Sequence, residues 1–241
     1  MTAIECSRLV VGYRAEPVVR DVSLSVQPGE IVAVLGANGA GKTTLLKTLA
    51  GLLQPRSGSV ALRGEMLGRQ PPEERARRGL LLVPEGRRLF PTLSTVDNLR
   101  TGRFTEREGY TVDEVLALFG RLAERRESLA GQLSGGEQQM LAIGRALCGG
   151  PEVLLIDEPS LGLAPRITSS VFETFGRLAQ RGLAVLIAEQ NVHAAMRVAD
   201  RCIVLDRGVV TLSASVQTAE GREAIEQAYT ATVDIDSSTR A

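Results

Sequence analysis

The spacing of apolar and polar positions changes character twice along the chain. Up to residue 83, short runs rich in β-branched residues alternate with Gly and Pro, which predicts strands over 4–11, 22–26, 30–35 and 58–62 with turns at Pro28-Gly29 and Arg63-Gly64. A helical period over 41–50 is closed by Gly51, and a strand over 80–83 stops at Pro84. From about 90 to 150 the period is helical throughout: one helix capped by Thr95, a second over 111 to about 129, and a third after Ser134. Strand and helix then alternate again: strand 153–157, helix 165–180, strand 183–188, helix 192–199, strand 202–205. A hairpin turn at Asp206-Arg207-Gly208 leads into a strand over 209–212, and a last helix spans about 219–229.

This order predicts an α/β fold. A mainly parallel, helix-covered sheet carries an antiparallel β layer near the N-terminus and a helical insertion at about 88–150. All of it belongs to one domain over 1–230. The Thr/Asp/Ser-rich stretch 231–241 is expected to be a mobile tail.

Composition narrows the function classes. The 241 residues include 44% apolar ones, enough for a sizeable core, and the formal net charge is zero, which argues against a general nucleic-acid binder. No apolar run reaches the ~20 residues of a membrane span, and the first residues show no charged leader before an apolar stretch. Cys6, Cys148 and Cys202 form no paired motif and are expected to be reduced, buried thiols of a cytosolic protein. Any membrane role is therefore expected to pass through a partner. Only two of the 28 basic residues are lysines, Lys42 and Lys47, so an ammonium at position 42 stands out against an arginine background.

Gly36-Ala37-Asn38-Gly39-Ala40-Gly41-Lys42-Thr43 fits G-x-x-x-x-G-K-[ST], after an apolar strand and at the start of a helix, which marks a P-loop NTPase core. The glycines let backbone N–H groups turn inward, and with the positive end of the helix, extended by Thr44, they form an anion cradle. Lys42 can reach the β- and γ-phosphates of ATP, and the Thr43 hydroxyl can ligate Mg²⁺. No G-x-G-x-x-G follows the strand, which disfavours a dinucleotide site. The strand over 153–157 ends in Asp157-Glu158-Pro159. A carboxylate buried at a strand end calls for a cation, so Asp157 is a candidate Mg²⁺ ligand beside Thr43. Glu158, one residue on, is placed to take the proton of the attacking water.

Leu133-Ser134-Gly135-Gly136-Glu137-Gln138-Gln139 contains a capping box between Ser134 and Glu137. The box does not account for the Gly135-Gly136 pair, which weakens a helix where it should nucleate and leaves amides bare for an anion. Together with the phosphate loop, this segment resembles the ABC (ATP-binding cassette) ATPases, and the match runs from about residue 13 to 208. The resemblance implies that Ser134, Gly135 and Gly136 close over the γ-phosphate held by a second ATP-binding subunit, so hydrolysis requires a dimer. It also implies that Tyr13 stacks on adenine.

Two departures narrow the resemblance. Most ABC ATPases have Gln where this chain has Glu85, and His where it has Gln190; the only histidine, His193, follows three residues later. These choices, with residues 83–99, 158–165 and 189–191, resemble the smaller ATP-binding subunit of branched-chain amino acid importers; related importers of urea or short amides carry nearly the same motifs. The implied roles are a γ-phosphate hydrogen bond from Gln190 and a water-mediated Mg²⁺ contact from Glu85. Glu85 has the alternative of pairing with Arg87 or Arg88. The implied partners are permease subunits docking near 86–99 and, indirectly, a solute-binding protein. The implied location is the cytoplasm, peripheral on the inner face of the membrane. A soluble ABC ATPase of DNA repair would carry long insertions between these motifs, and a tandem translation factor would carry two sets. An exporter ATPase is opposed only by the Glu85/Gln190 pattern. Arg75, Arg77 and Arg78 follow Glu73 and Glu74 at helix spacing and are expected to form a self-paired solvated face.

Overall fold

The computed structural model describes residues 1–13 and 16–238, with 233–238 as backbone. The chain begins with β1 (Ile4–Val11) and β2 (Val19–Val26), an antiparallel pair, followed by β3 (Ile31–Leu35) and α1 (Lys42–Leu49). β4 (Ser57–Leu62) and β5 (Glu65–Met66) complete a four-stranded antiparallel sheet of order β2-β1-β4-β5. Then come α2 (Pro72–Arg77) and β6 (Leu80–Val83).

The middle of the chain is helical: α3 (Thr95–Arg100), α4 (Val112–Leu118), α5 (Gly120–Ala123) and α6 (Gly135–Cys148). The remaining elements are β7 (Val153–Asp157), α7 (Pro165–Ala179), β8 (Ala184–Glu189), α8 (Val192–Met196), β9 (Arg201–Asp206), β10 (Val209–Ser215) and α9 (Ala219–Ser238). The main sheet has the order β10-β9-β3-β8-β7-β6; all neighbours are parallel except the β9–β10 hairpin.

β3 shows why the sheet sits in the middle. All five of its residues are buried, as expected for a parallel strand covered on both faces. Ile31, Ala33 and Leu35 join the core shared with α6 and α7, whereas Val32 and Val34 join the core shared with α1 and the antiparallel sheet. Register brings the strand ends level, with Val34 and Asp157 both opposite Ala188, Leu35 opposite Glu189 and Val83 opposite Ile156. In open α/β sheets ligands bind beyond the carboxyl ends of such strands.

Four sequence expectations are corrected. Ser94, not Thr95, caps α3: its hydroxyl accepts from the Asp97 N–H, while Thr95 is buried inside the helix. The helix expected over 111 to about 129 starts at a Thr111 capping box but breaks at Phe119, whose ring is buried and whose backbone leaves the helical region. Arg75 is no solvated residue. It is 0% exposed, and its guanidinium donates to Thr48 O, Leu49 O, Gly68 O and Gln70 O, closing the C-terminal end of α1. Arg78 pairs with Glu65 rather than with Glu73 or Glu74. Finally, the last helix continues past 229 to Ser238; residues 239–241 of the expected tail lie outside the described residues.

No helix among the described residues is long and apolar enough to cross a membrane. The three cysteines are buried free thiols. Burial pushes Cys6 and Cys202 up to about 12 and Cys148 to about 11, so thiolate chemistry is disfavoured.

Candidate active site

The loop between β3 and α1 is built on glycine for two different reasons. A Cβ at Gly36 would fall 2.5 Å from Leu205 O, so the chain must pass β9 without one. Gly41 caps α1 at φ +108°, a conformation that side chains rarely adopt. Lys42 then turns back over the loop. Its ammonium is 5% exposed, donates to Gly36 O (2.8 Å) and Ala37 O (3.2 Å), and pairs with Glu158 Oε1 at 2.9 Å.

β7 delivers the two carboxylates. Asp157 is buried and accepts from the Thr43 hydroxyl at 3.1 Å. Burial pushes its carboxyl above the usual range, opposed by the Thr43 bond and reinforced by Glu158 and Glu85, with Lys42 acting to lower it. Glu158 sits at φ +49°, which is strained for a side chain of its size, and its N–H is held by Ala188 O. Strain of this kind, of order 1–3 kcal/mol, is concentrated at functional sites.

A cavity of about 310 Å³ forms at these strand ends. The phosphate loop lines it with Asn38, Gly39, Gly41, Lys42, Thr43 and Thr44; Glu85, Glu158 and Gln190 face it from the ends of β6, β7 and β8. Val18 and the exposed Leu161 complete the wall. Gly36, Ala37 and Ala40 shape the loop from behind: the first two accept from Lys42, and Ala40 is buried. Glu85 forms no ion pair with Arg87 or Arg88 among the described residues; Arg87 instead donates to Gln138 and Gln139 on α6. Glu85 and Glu158 line the cavity with Lys42, and Asp157 lies near enough to feel all three charges, so carboxylates outnumber the ammonium here. No trio of His, Cys, Asp or Glu gathers as a ready cage among the described residues, so Thr43 and Asp157 could supply only part of a coordination shell.

Four expected site residues stand elsewhere. Tyr13 is 59% exposed on the loop whose far end, Val18, edges the cavity. Ser134 caps α6 with the expected box, its N–H donating to Glu137 at 2.8 Å. Gly136 has a packing reason of its own, because a Cβ there would lie 2.6 Å from Ile167 Cγ2 on α7. Ser134, Gly135 and Gly136 do not line the cavity of their own chain. His193 is also outside it, 3.8 Å from Glu226.

Sequence reasoning missed two residues at the site. Glu189 is fully buried at the end of β8 and accepts from the backbone N–H groups of Ser160, Gln190 and Asn191. An apolar strand ending in an acid was the available signal, the same one that marks Asp157. Tyr229 on α9 lines a cleft together with Gln190; nothing local in the sequence marks a meeting across that separation.

A family model described as ABC transporter matches residues 19–161. Over 195 residues the chain is 51% identical to the high-affinity branched-chain amino acid transport ATP-binding protein BraG of Pseudomonas aeruginosa, covering 80% of this chain and 84% of that protein. Over 235 residues it is 32% identical to the lipopolysaccharide export system ATP-binding protein LptB of Haemophilus influenzae, covering 95% and 97%. A solved ATP-binding subunit of an ABC transporter superposes with a TM-score of 0.79 at 30% identity over 97% of both chains. An ATP-binding cassette in its ADP conformation superposes at 0.80 with 23% identity, covering 92% and 94%, and shares the fold. The loop geometry and these likenesses agree: the chain belongs to the ABC transporter family, as one of its ATP-hydrolysing ATP-binding cassettes.

Proposed function

We propose that this chain is the smaller ATP-binding subunit of an importer of branched-chain amino acids, and that it hydrolyses ATP at a site shared by two ATP-binding subunits. The cargo reading is supported by the 51% identity to BraG and by Glu85 and Gln190, the two departures that set this subgroup apart, facing one cavity. The observation that carries the shared site is that Lys42, Glu158 and Gln190 converge on that cavity while Ser134, Gly135 and Gly136 lie outside it. A second subunit, of the same or another chain, brings its own serine and glycines over the γ-phosphate.

In this mechanism Lys42 and the loop amides hold the β- and γ-phosphates, and Gln190 donates to a γ-phosphate oxygen. Glu158 accepts the proton of the attacking water as the bond to the γ-phosphorus forms and ADP leaves. Thr43 and Asp157, with Glu85 through water, would hold Mg²⁺, and the ion would supply charge neutralisation at the phosphate oxygens. Tyr13 stacks on the adenine outside the cavity.

Membrane docking has its own surface. A cleft of about 480 Å³ beside β6 is lined by Leu82, Val83, Pro84, Arg87, Phe90 and Phe104, and Arg145 covers the Phe90 ring. It adjoins residues 86–99 and fits an amphipathic cytoplasmic helix of a permease, which keeps the subunit at the inner face of the membrane. LptB supports a second reading, an exporter ATPase, because the likeness extends over nearly the whole chain. Affinity purification of the chain with its membrane subunits, followed by ATP turnover with and without leucine-loaded binding protein, separates the two. Stimulation by the loaded binding protein is the expected result; a complex indifferent to it overturns the import reading.

A further inference from the structure

The carboxylate of Glu189 is 0% exposed and uses both oxygens on main-chain donors from two different loops. Oε1 accepts from Ser160 N at 2.8 Å, two residues beyond Glu158; Oε2 accepts from Gln190 N and Asn191 N, each at 3.1 Å. No cation pairs with it among the described residues, and the nearby Glu158 charge acts against its ionisation. A buried carboxylate without a counter-ion is expensive, and a simple structural tether does not require one. What a carboxylate alone offers is two oxygens that only accept, matched here to three converging N–H groups.

We infer that Glu189 is a positioning residue for hydrolysis: it locks the loop carrying Glu158 and Ser160 to the loop carrying Gln190, and so fixes the proton acceptor and the γ-phosphate donor on facing walls of the cavity. This rests on the roles of Glu158 and Gln190 proposed above. Geometry favours a lock over a packing accident. Glu189 is level with Leu35, the last residue before the phosphate loop, and Ala188 is level with Asp157 and receives the Glu158 N–H. Both clamped loops reach the cavity, one through Leu161 and the other through Gln190. An amide at position 189 keeps the shape but turns an NH₂ toward at least one of the three N–H groups, which parts the loops where the carboxylate joined them.

The test is a double-mutant cycle in the assembled, full-length complex with Glu189→Gln, Gln190→Ala and the double variant. ATP turnover is scored per folded protein, and binding of a non-hydrolysable ATP analogue is measured alongside. Glu189→Gln is expected to lower kcat at least about tenfold, since small misplacements of reacting groups have effects of that size or larger. KM and analogue affinity should stay within about twofold, and Glu189→Gln should cost less in the Gln190→Ala background than alone, because the share of its effect that runs through Gln190 is already lost there. Glu189→Asp retains both accepting oxygens and should recover part of the rate; it also serves as the probe if the amide variant does not fold. Wild-type kcat in Glu189→Gln beside a slow Gln190→Ala overturns this inference alone, as does a loss of equal size in the Gln190→Ala background. Full-rate turnover by Gln190→Ala removes the role of Gln190 and this inference together.

Discussion

Lys42 Nζ lies 2.9 Å from Glu158 Oε1, joining the cation of the phosphate loop to the carboxylate that follows β7. The ammonium also donates to Gly36 O and Ala37 O, so its three N–H groups are all engaged. Phosphate oxygens reach Lys42 by exchange with one of these partners. In the mechanism proposed above, exchange with Glu158 would free that carboxylate to accept a proton, so nucleotide capture and activation of the base would be one event.

Glu158→Gln should therefore bind ATP and fail to cleave it, with turnover down by about 10²–10⁴ as for loss of a general base. Light scattering should show the variant accumulating as an ATP-bound dimer; normal turnover would remove Glu158 from the base role. Lys42→Ala should show no ATP binding at micromolar nucleotide by titration calorimetry.

Asp157 gives a pH signature in stability. Burial raises its folded pKa, so folding favours the protonated form. The penalty of the buried charge is absent below the usual carboxylate range, grows as pH rises through the raised value, and is complete above it. In the presence of a chelator, Asp157→Asn should melt higher than wild type at pH 8, by about 2 °C or more on the scale expected for a domain of this size. The gap should close toward pH 4, and magnesium-dependent hydrolysis should be lost. A gap that widens on acidification contradicts the assignment.

Arg75 holds the C-terminal end of α1. Its guanidinium satisfies four carbonyls, two of them at the end of α1, and Arg75→Leu removes the donor from each, leaving Leu49 O buried without it and Thr48 O with the Gly51 N–H alone. Urea unfolding should show a loss of about 2–5 kcal/mol, the range for a broken buried polar network.

Gln190 cannot titrate near neutrality, and His193 stands outside the phosphate cavity. The wild-type rate should carry no imidazole limb between about pH 6 and 8, whereas Gln190→His should introduce an inflection near about 6.5. A wild-type inflection that disappears in His193→Ala would instead give the histidine a role.

Much of this site was legible along the chain because its parts are local. The phosphate loop needs a strand, three glycines and a helix start within a dozen residues, and the Ser134–Glu137 box is complete within four. What stayed hidden depends on groups meeting across the fold. Arg75 read as a solvated helix residue because its spacing to Glu73 and Glu74 is right; only the neighbouring end of α1 makes it a buried cap. The break at Phe119 follows from a ring turning into the core, which a periodic pattern does not register. Glu189 read as the neighbour of Gln190, since its partner Ser160 lies a helix and a strand away.

In the proposed dimer, one subunit's cavity is closed by another's Ser134, Gly135 and Gly136. Specific ATPase activity measured against protein concentration, with mass followed by light scattering in the same samples, tests it directly. Activity should rise and fall with the dimer fraction, with or without the second ATP-binding subunit present. Full turnover by a preparation that stays monomeric throughout would contradict the account.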